Sequence, residues 1–98
     1  MIILHIEHTV AQFDQWKASF DTFADLRQRS GVRRVQISRP ADNPNYAIID
    51  LEFDSLSQAE TLLAAVQQVW GRVNGTLIHG PQWQFRELVE TKVLQPER

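Results

Sequence analysis

Three histidines, three tryptophans and one tyrosine are the residues of this 98-residue chain best suited to move a proton or hold a ring. An imidazole titrates near neutral pH and serves as a general base. Indole faces wall a site against water and grip flat ligands. His8 is the predicted catalytic base. Trp16, Tyr46, Trp70, His79 and Trp83 are predicted to bind the substrate. These positions are far apart in sequence, so they make one site only if the fold returns them to one place. Arg39, beside Tyr46 across a turn, offers a guanidinium to orient a phenolate or carboxylate. Each residue also has a plainer role open to it. His8 can hold a backbone carbonyl or a helix cap, the tryptophans can fill core, and His79, Tyr46 and Arg39 can sit exposed at a rim.

A second group invites a metal test. His5, Glu7, Asp50 and Glu52 combine imidazole with carboxylate, a donor set that suits divalent ions. His5 and His8 are an odd number of residues apart, so within one strand they point to opposite faces and cannot share an ion. Arg34 and Arg86 are counter-ions for the same carboxylates. This group therefore reads as interleaved ion pairs on a polar dimer face, and no metal site is expected.

The elements that must position these residues follow from hydrophobic period. Ile2–His8 is apolar and β-branched, the right length for a strand. From Val10 to about Arg29, Phe13, Trp16, Phe20 and Phe23 recur at spacings of three and four and predict one helix, capped by Thr9 or Asp14 and stopped by Gly31. Val32–Ser38 and Tyr46–Phe53 are strands joined by the turn formers of Arg39–Asn45. Asp54 or Ser55 caps a second helix, with Ser57–Glu60 as its capping box. Its buried stripe is Ala59, Leu62, Leu63, Val66 and Trp70. Gly71, Gly75 and Gly80–Pro81 break the chain, making 71–80 a glycine-rich flap that carries His79. Gln82 to about Leu88 is the fourth strand, opened by Trp83. Residues 1–93 form one domain and 94–98 a tail.

Two strand–helix units joined by a hairpin predict an α+β, ferredoxin-like βαββαβ sandwich. Right-handed crossovers give an antiparallel sheet in the order 4-1-3-2 with both helices on one face. Period two then places Ile2, Leu4, Ile6, His8, Val35, Ile37, Ala47, Ile49, Leu51 and Phe53 toward the helices. The other face carries His5, Glu7, Arg34, Gln36, Asp50, Glu52, Gln84 and Arg86 beside Ile3 and Ile48. His8, Trp16, Trp70, His79 and Trp83 then meet at one end of the sheet.

Composition removes several classes of function. Net charge is −2 with dispersed Lys and Arg, which argues against nucleic acid and anionic membrane as partners. An RNA-binding sheet would show aromatics on its open face, whereas this one is acidic and amide-rich. The chain has no cysteine, so thiol catalysis and disulfides are out. That absence does not fix the compartment; a reducing cytoplasm is compatible with it, and a cytoplasmic location is the expectation. No stretch reaches the roughly 20 apolar residues of a spanning helix. There is no P-loop, GxGxxG, HExxH or nucleophile elbow, and no cofactor is implied.

His8-Thr-Val10, Trp16-Lys17, Phe20-Asp21, Arg27, Gly31, Arg39, Pro44-Asn45 and the Gly80-Pro81 lead-in to strand four resemble a group of small bacterial proteins. These are uncharacterised members of the dimeric α/β-barrel superfamily, which includes the antibiotic-biosynthesis monooxygenases. The resemblance runs from about His8 to Glu87. It implies a homodimer in which two sheets meet through the polar face, with a small-molecule pocket between each sheet and its helices. Haem-degrading members use an Asn, a Trp and a His. Trp70 and His79 match two of these, but strand one offers Glu7 and His8 and no Asn, which speaks against haem chemistry. The expectation is a small-molecule binder or a cofactor-independent monooxygenase-like, isomerase-like or cyclase-like enzyme. Its substrate would be aromatic or polyketide-like. The rival is a non-catalytic homodimeric ligand-binding or structural module.

Overall fold

A computed structural model describes residues 1–96. Its elements are β1 (Ile2–Val10), α1 (Phe13–Asp21), α2 (Ala24–Arg29), β2 (Arg34–Ser38), β3 (Tyr46–Phe53), α3 (Leu56–Val73) and β4 (Ile78–Glu87). The sheet is antiparallel in the order β2-β3-β1-β4, the predicted order read from the opposite edge. This is the expected α+β ferredoxin-like sandwich. Residues 88–96 carry no helix or strand. Of the expected tail, Glu97 and Arg98 lie outside the described residues.

Alternation along β1 and β3 builds the core. Leu4, Ile6, His8 and Val10 of β1, with Ala47, Ile49, Leu51 and Phe53 of β3, are buried against the helices. Trp16 of α1 and Ala59, Leu62, Leu63 and Trp70 of α3 complete the cluster with Ile78. Helix α3 starts at the expected Ser55 cap, with its capping box two residues earlier than predicted. Ser55 Oγ accepts from the Gln58 amide, and the Gln58 side chain accepts from the Ser55 amide, both at 3.3 Å. Ser57 is thus inside the first turn. The helix also runs through Gly71, whose missing side chain faces open space.

The predicted first helix is two. It has no side-chain cap: Gln12 is the N-cap residue, β1 having continued through Thr9 to Val10. Asp14 instead sits in the first turn, where a carboxylate favours the helix dipole. The helix then breaks at Thr22–Phe23. Thr22 turns its hydroxyl onto the Ser19 carbonyl at 2.6 Å, and the Phe23 amide binds the Phe20 carbonyl three residues back. The chain tightens there, and α2 sets off afresh. Gly31 ends α2 as expected, at φ +91°, and a β-carbon there would stand 2.6 Å from Gln58 Nε2.

Strand β4 begins four residues earlier than predicted. Gly80–Pro81 does not end it. Between Glu7↔Gln82 and Thr9↔His79 the pairing with β1 shifts by one residue, and Gly80 takes φ +62°. That is a β-bulge, which absorbs the glycine and the proline without ending the ladder. The 71–80 segment is therefore helix end, a four-residue turn and strand start.

Phe53 is fully buried, and its replacement leaves a cavity that rigid neighbours cannot fill. Phe53→Ala is expected to cost about 3–5 kcal/mol and Ser55→Ala about 1 kcal/mol in chemical denaturation. A Phe53→Ala loss below that of Ser55→Ala would contradict this account of the core.

Candidate functional site

Between the sheet and the helices lies an apolar cleft of about 100 Å³. Ile6 and His8 of β1 and Ile49 and Leu51 of β3 form its floor. Trp16, Ser19 and Phe20 of α1, Phe23, and Leu26 and Arg27 of α2 form one wall. Leu62, Val66, Val69, Trp70 and Val73 of α3 form the other. The cleft follows β1 and β3 along the sheet, as the register pairs Ile6 with Ile49 and Leu4 with Leu51. The expected site was confined to one end.

His8 is almost fully buried, and its ring stands edge-on to Trp16 with centroids 5.6 Å apart. Nδ1 lies 3.1 Å from the Thr9 carbonyl oxygen, which can only accept, so Nδ1 carries the proton. The neutral ring then has its lone pair on Nε2. No buried side-chain nitrogen or oxygen among the described residues lacks a hydrogen-bond partner. Nε2 has none, so it keeps contact with open space, and His8 lines the cleft. Burial lowers the His8 pKa below its ordinary value, partly opposed by the bond to Thr9.

Arg27 is a site residue that sequence reasoning missed. Carried in the sequence only by the family resemblance, it is buried in the cleft wall. One guanidinium nitrogen donates to the Phe20 carbonyl at 2.8 Å, and the guanidinium carbon sits 3.7 Å over the Phe20 ring. Burial pushes its pKa down, while the Asp21 charge opposes this. The signal available was its spacing of seven from Phe20 on the same helical stripe.

The other predicted ligand residues divide. Trp16 and Trp70 line the cleft beside His8. Trp83 points to the helix side through its pairing with Ile6, and its ring packs on Trp70 at 5.7 Å. It is mid-strand and 45% exposed, and it covers the outside of Trp70 without reaching the cleft. His79 is in β4, exposed and away from the cleft, its carbonyl accepting from the Thr9 hydroxyl. Tyr46 is on the opposite side of the sheet. Its hydroxyl donates to Glu7 Oε1 at 2.7 Å, which raises its own pKa. Arg39 stacks over Phe13 at 4.5 Å.

On that second face His5 holds two carboxylates, Asp50 through Nδ1 at 2.7 Å and Glu7 through Nε2 at 2.8 Å. The bonds from His5 and then Tyr46 hold the Glu7 carboxyl below its ordinary range. Arg34 lies 3.5 Å from Glu52. Among the described residues, no group of three or more His, Cys, Asp or Glu is arranged to hold a metal ion. None of the helices described is long and apolar enough to cross a membrane.

No family model and no curated protein matches the chain. Solved structures do match its fold. A candidate antibiotic biosynthesis monooxygenase from Deinococcus radiodurans has a TM-score of 0.70 at 17% identity, with 98% of this chain and 100% of that one covered. An arginine-to-serine variant of MhuD, crystallised with two manganese protoporphyrin IX molecules per active site, has a TM-score of 0.73 at 14% identity, covering 95% and 99%. A dimeric ferredoxin-like protein from an uncultured marine organism has a TM-score of 0.63 at 9% identity, covering 96% and 100%. The sandwich is thus the fold of antibiotic-biosynthesis-monooxygenase-like and ferredoxin-like proteins, the one the sequence resemblance implied.

His8 gives a test by pH. The unfolded chain protonates at about pH 6.5, and the folded one only at lower pH. Stability attributable to His8 is therefore full above about pH 6.5 and is lost as the pH falls through the folded value. A His8→Gln variant should lose less stability than wild type between pH 7 and pH 5, measured by urea denaturation. Equal losses would show that His8 does not titrate this way.

Proposed function

We propose that this chain is a cofactor-independent, small-molecule enzyme in which His8 acts as general base on an aromatic substrate held in the cleft. One observation carries the reading: a buried imidazole lining an apolar cavity, with Nδ1 committed to a carbonyl and no protein partner on Nε2. That arrangement fixes the tautomer and leaves the basic nitrogen available to a substrate. A lowered pKa keeps it unprotonated at neutral pH. Trp16 and Trp70 would hold the ring and keep water out.

In the proposed step, Nε2 takes the proton of a phenol. The ring anion gives its electrons to dioxygen, forming a carbon–oxygen bond and a peroxide anion. The peroxide takes the proton back from the imidazolium, and the resulting hydroperoxide loses water, with the hydrogen of the same ring carbon, to leave a quinone. One oxygen atom enters the product and the other leaves as water. An engineered cavity of roughly 150 Å³ holds one benzene. A cleft of about 100 Å³ therefore favours a single ring over a fused polyketide or a tetrapyrrole. The fold shared with monooxygenase-like proteins is compatible with this chemistry but does not dictate it.

We infer further that two copies pair through the second sheet face, which no helix covers. Its His5, Glu7, Asp50, Tyr46, Arg34 and Glu52 form mutual bonds around the apolar Ile3 and Ile48. A neighbour in the same fold is dimeric. The rival reading, a non-catalytic dimeric module, draws on the small size of the cleft.

Oxygen uptake on a panel of monocyclic phenols is the test. Wild type should consume oxygen with at least one, and His8→Ala should lower that rate by about 10²–10⁴-fold while remaining folded. An unchanged rate would remove His8 as the base, and no uptake on any phenol would favour the module. For assembly, sedimentation should give twice the monomer mass, falling to one with Ile48→Glu. Monomeric wild type would sink the dimer.

A further inference from the structure

A buried cation in an apolar wall calls for an anion. Arg27 stands nine-tenths buried among Phe20, Phe23 and Leu26, in a cleft whose other polar contributors are His8 and Ser19. A guanidinium keeps its charge in a protein and carries five N–H donors in a flat fork. Only one donor is used by the protein, on the Phe20 carbonyl. No carboxylate among the described residues forms an ion pair with Arg27, although Lys17, Arg33 and Arg34 each have one. Asp21, the acidic neighbour that supports its charge, is itself bonded to Lys17 at 2.8 Å. The unused donors are not sealed in protein, because no buried nitrogen among the described residues lacks a partner.

Desolvating a charge without a counter-ion is costly, and burial makes any arriving anion more strongly held. Phe20 orients the group twice over. Its carbonyl fixes one edge of the fork and its ring supports the guanidinium face. The remaining edge then has a set direction, which suits two-point binding of a carboxylate.

We propose that Arg27 is the anion-binding residue of the cleft, and that its ligand is a monocyclic or short-chain carboxylate with its apolar body between Trp16 and the α3 wall. This rests on the reading that the cleft is a small-molecule site, and it names the class of molecule. Arg27 holds a group that is charged before any reaction starts, and His8 meets the part of the ligand that loses a proton.

Benzoate, benzamide and benzyl alcohol present one ring with and without charge. Their binding to the wild-type protein can be followed by the fluorescence of Trp16 and Trp70 and by calorimetry. Benzoate should bind at least about tenfold more tightly than either neutral compound, the scale of a charged hydrogen bond. Arg27→Gln should remove that preference while leaving benzamide affinity within about twofold. His8→Gln should retain the preference. Benzamide binding as well as benzoate would overturn the assignment of Arg27 and leave the cleft reading standing. Failure of all three to bind at millimolar concentration would overturn both. Should Arg27→Gln not fold, Arg27→Lys and the wild-type comparison still decide the matter: a preference for benzoate upholds the assignment and equal affinities reject it.

Discussion

Strand β1 lies between β3 and β4 and pairs with both along almost its whole length. Everything else about the molecule depends on that position. Side chains alternate along a strand, so one register sends Leu4, Ile6 and His8 to the helices and His5, Glu7 and Thr9 to the other side. His8 is buried because Leu4 and Ile6 must be. Its imidazole then has to find a partner, and the Thr9 carbonyl supplies one. On the other face the same alternation puts His5 between Asp50 and Glu7, and Glu7 beside Tyr46. A slip of one residue in β1 would bury the Glu7 carboxylate and expose the His8 imidazole.

The cleft owes its shape to the break after α1. A continuous helix would have satisfied the Phe20 carbonyl through the amide four residues on. The turn at Thr22–Phe23 leaves that oxygen to the Phe23 amide and the Arg27 guanidinium. The arginine that fills the gap is thereby drawn into the wall. Packing and polarity are linked here: the backbone irregularity is what makes a charged side chain tolerable among Phe20, Phe23 and Leu26.

Much of this was legible in the residues. Apolar period two in Ile2–His8 and Tyr46–Phe53, and period three to four in the helices, lead directly to the sandwich and its strand order. The side of Tyr46 was legible too, since it is an even number of residues from Ile48 and Asp50, both on the second face. The helix break was not, because it comes from a threonine hydroxyl and an arginine reaching the backbone, and the aromatic stripe continues across it. The extent of β4 was hidden for a similar reason. A glycine–proline pair ordinarily marks a stop, and only the pairing with β1 reveals a bulge. Whether His79 and Trp83 approached His8 depended on that bulge and on the edge position of β4.

The bulge has a bearing on how the sheet ends. Strands β2 and β4 are the two edges, and an open edge invites another chain to pair and start an aggregate. At β4, Pro81 has no amide hydrogen to offer, and Gly80 turns the backbone out of line. A recruited strand would lose its register there. At β2 the edge is only five residues long and begins with Arg34. Both margins thus resist extension, and growth of the sheet sideways is blocked while its broad uncovered face stays free to meet another surface.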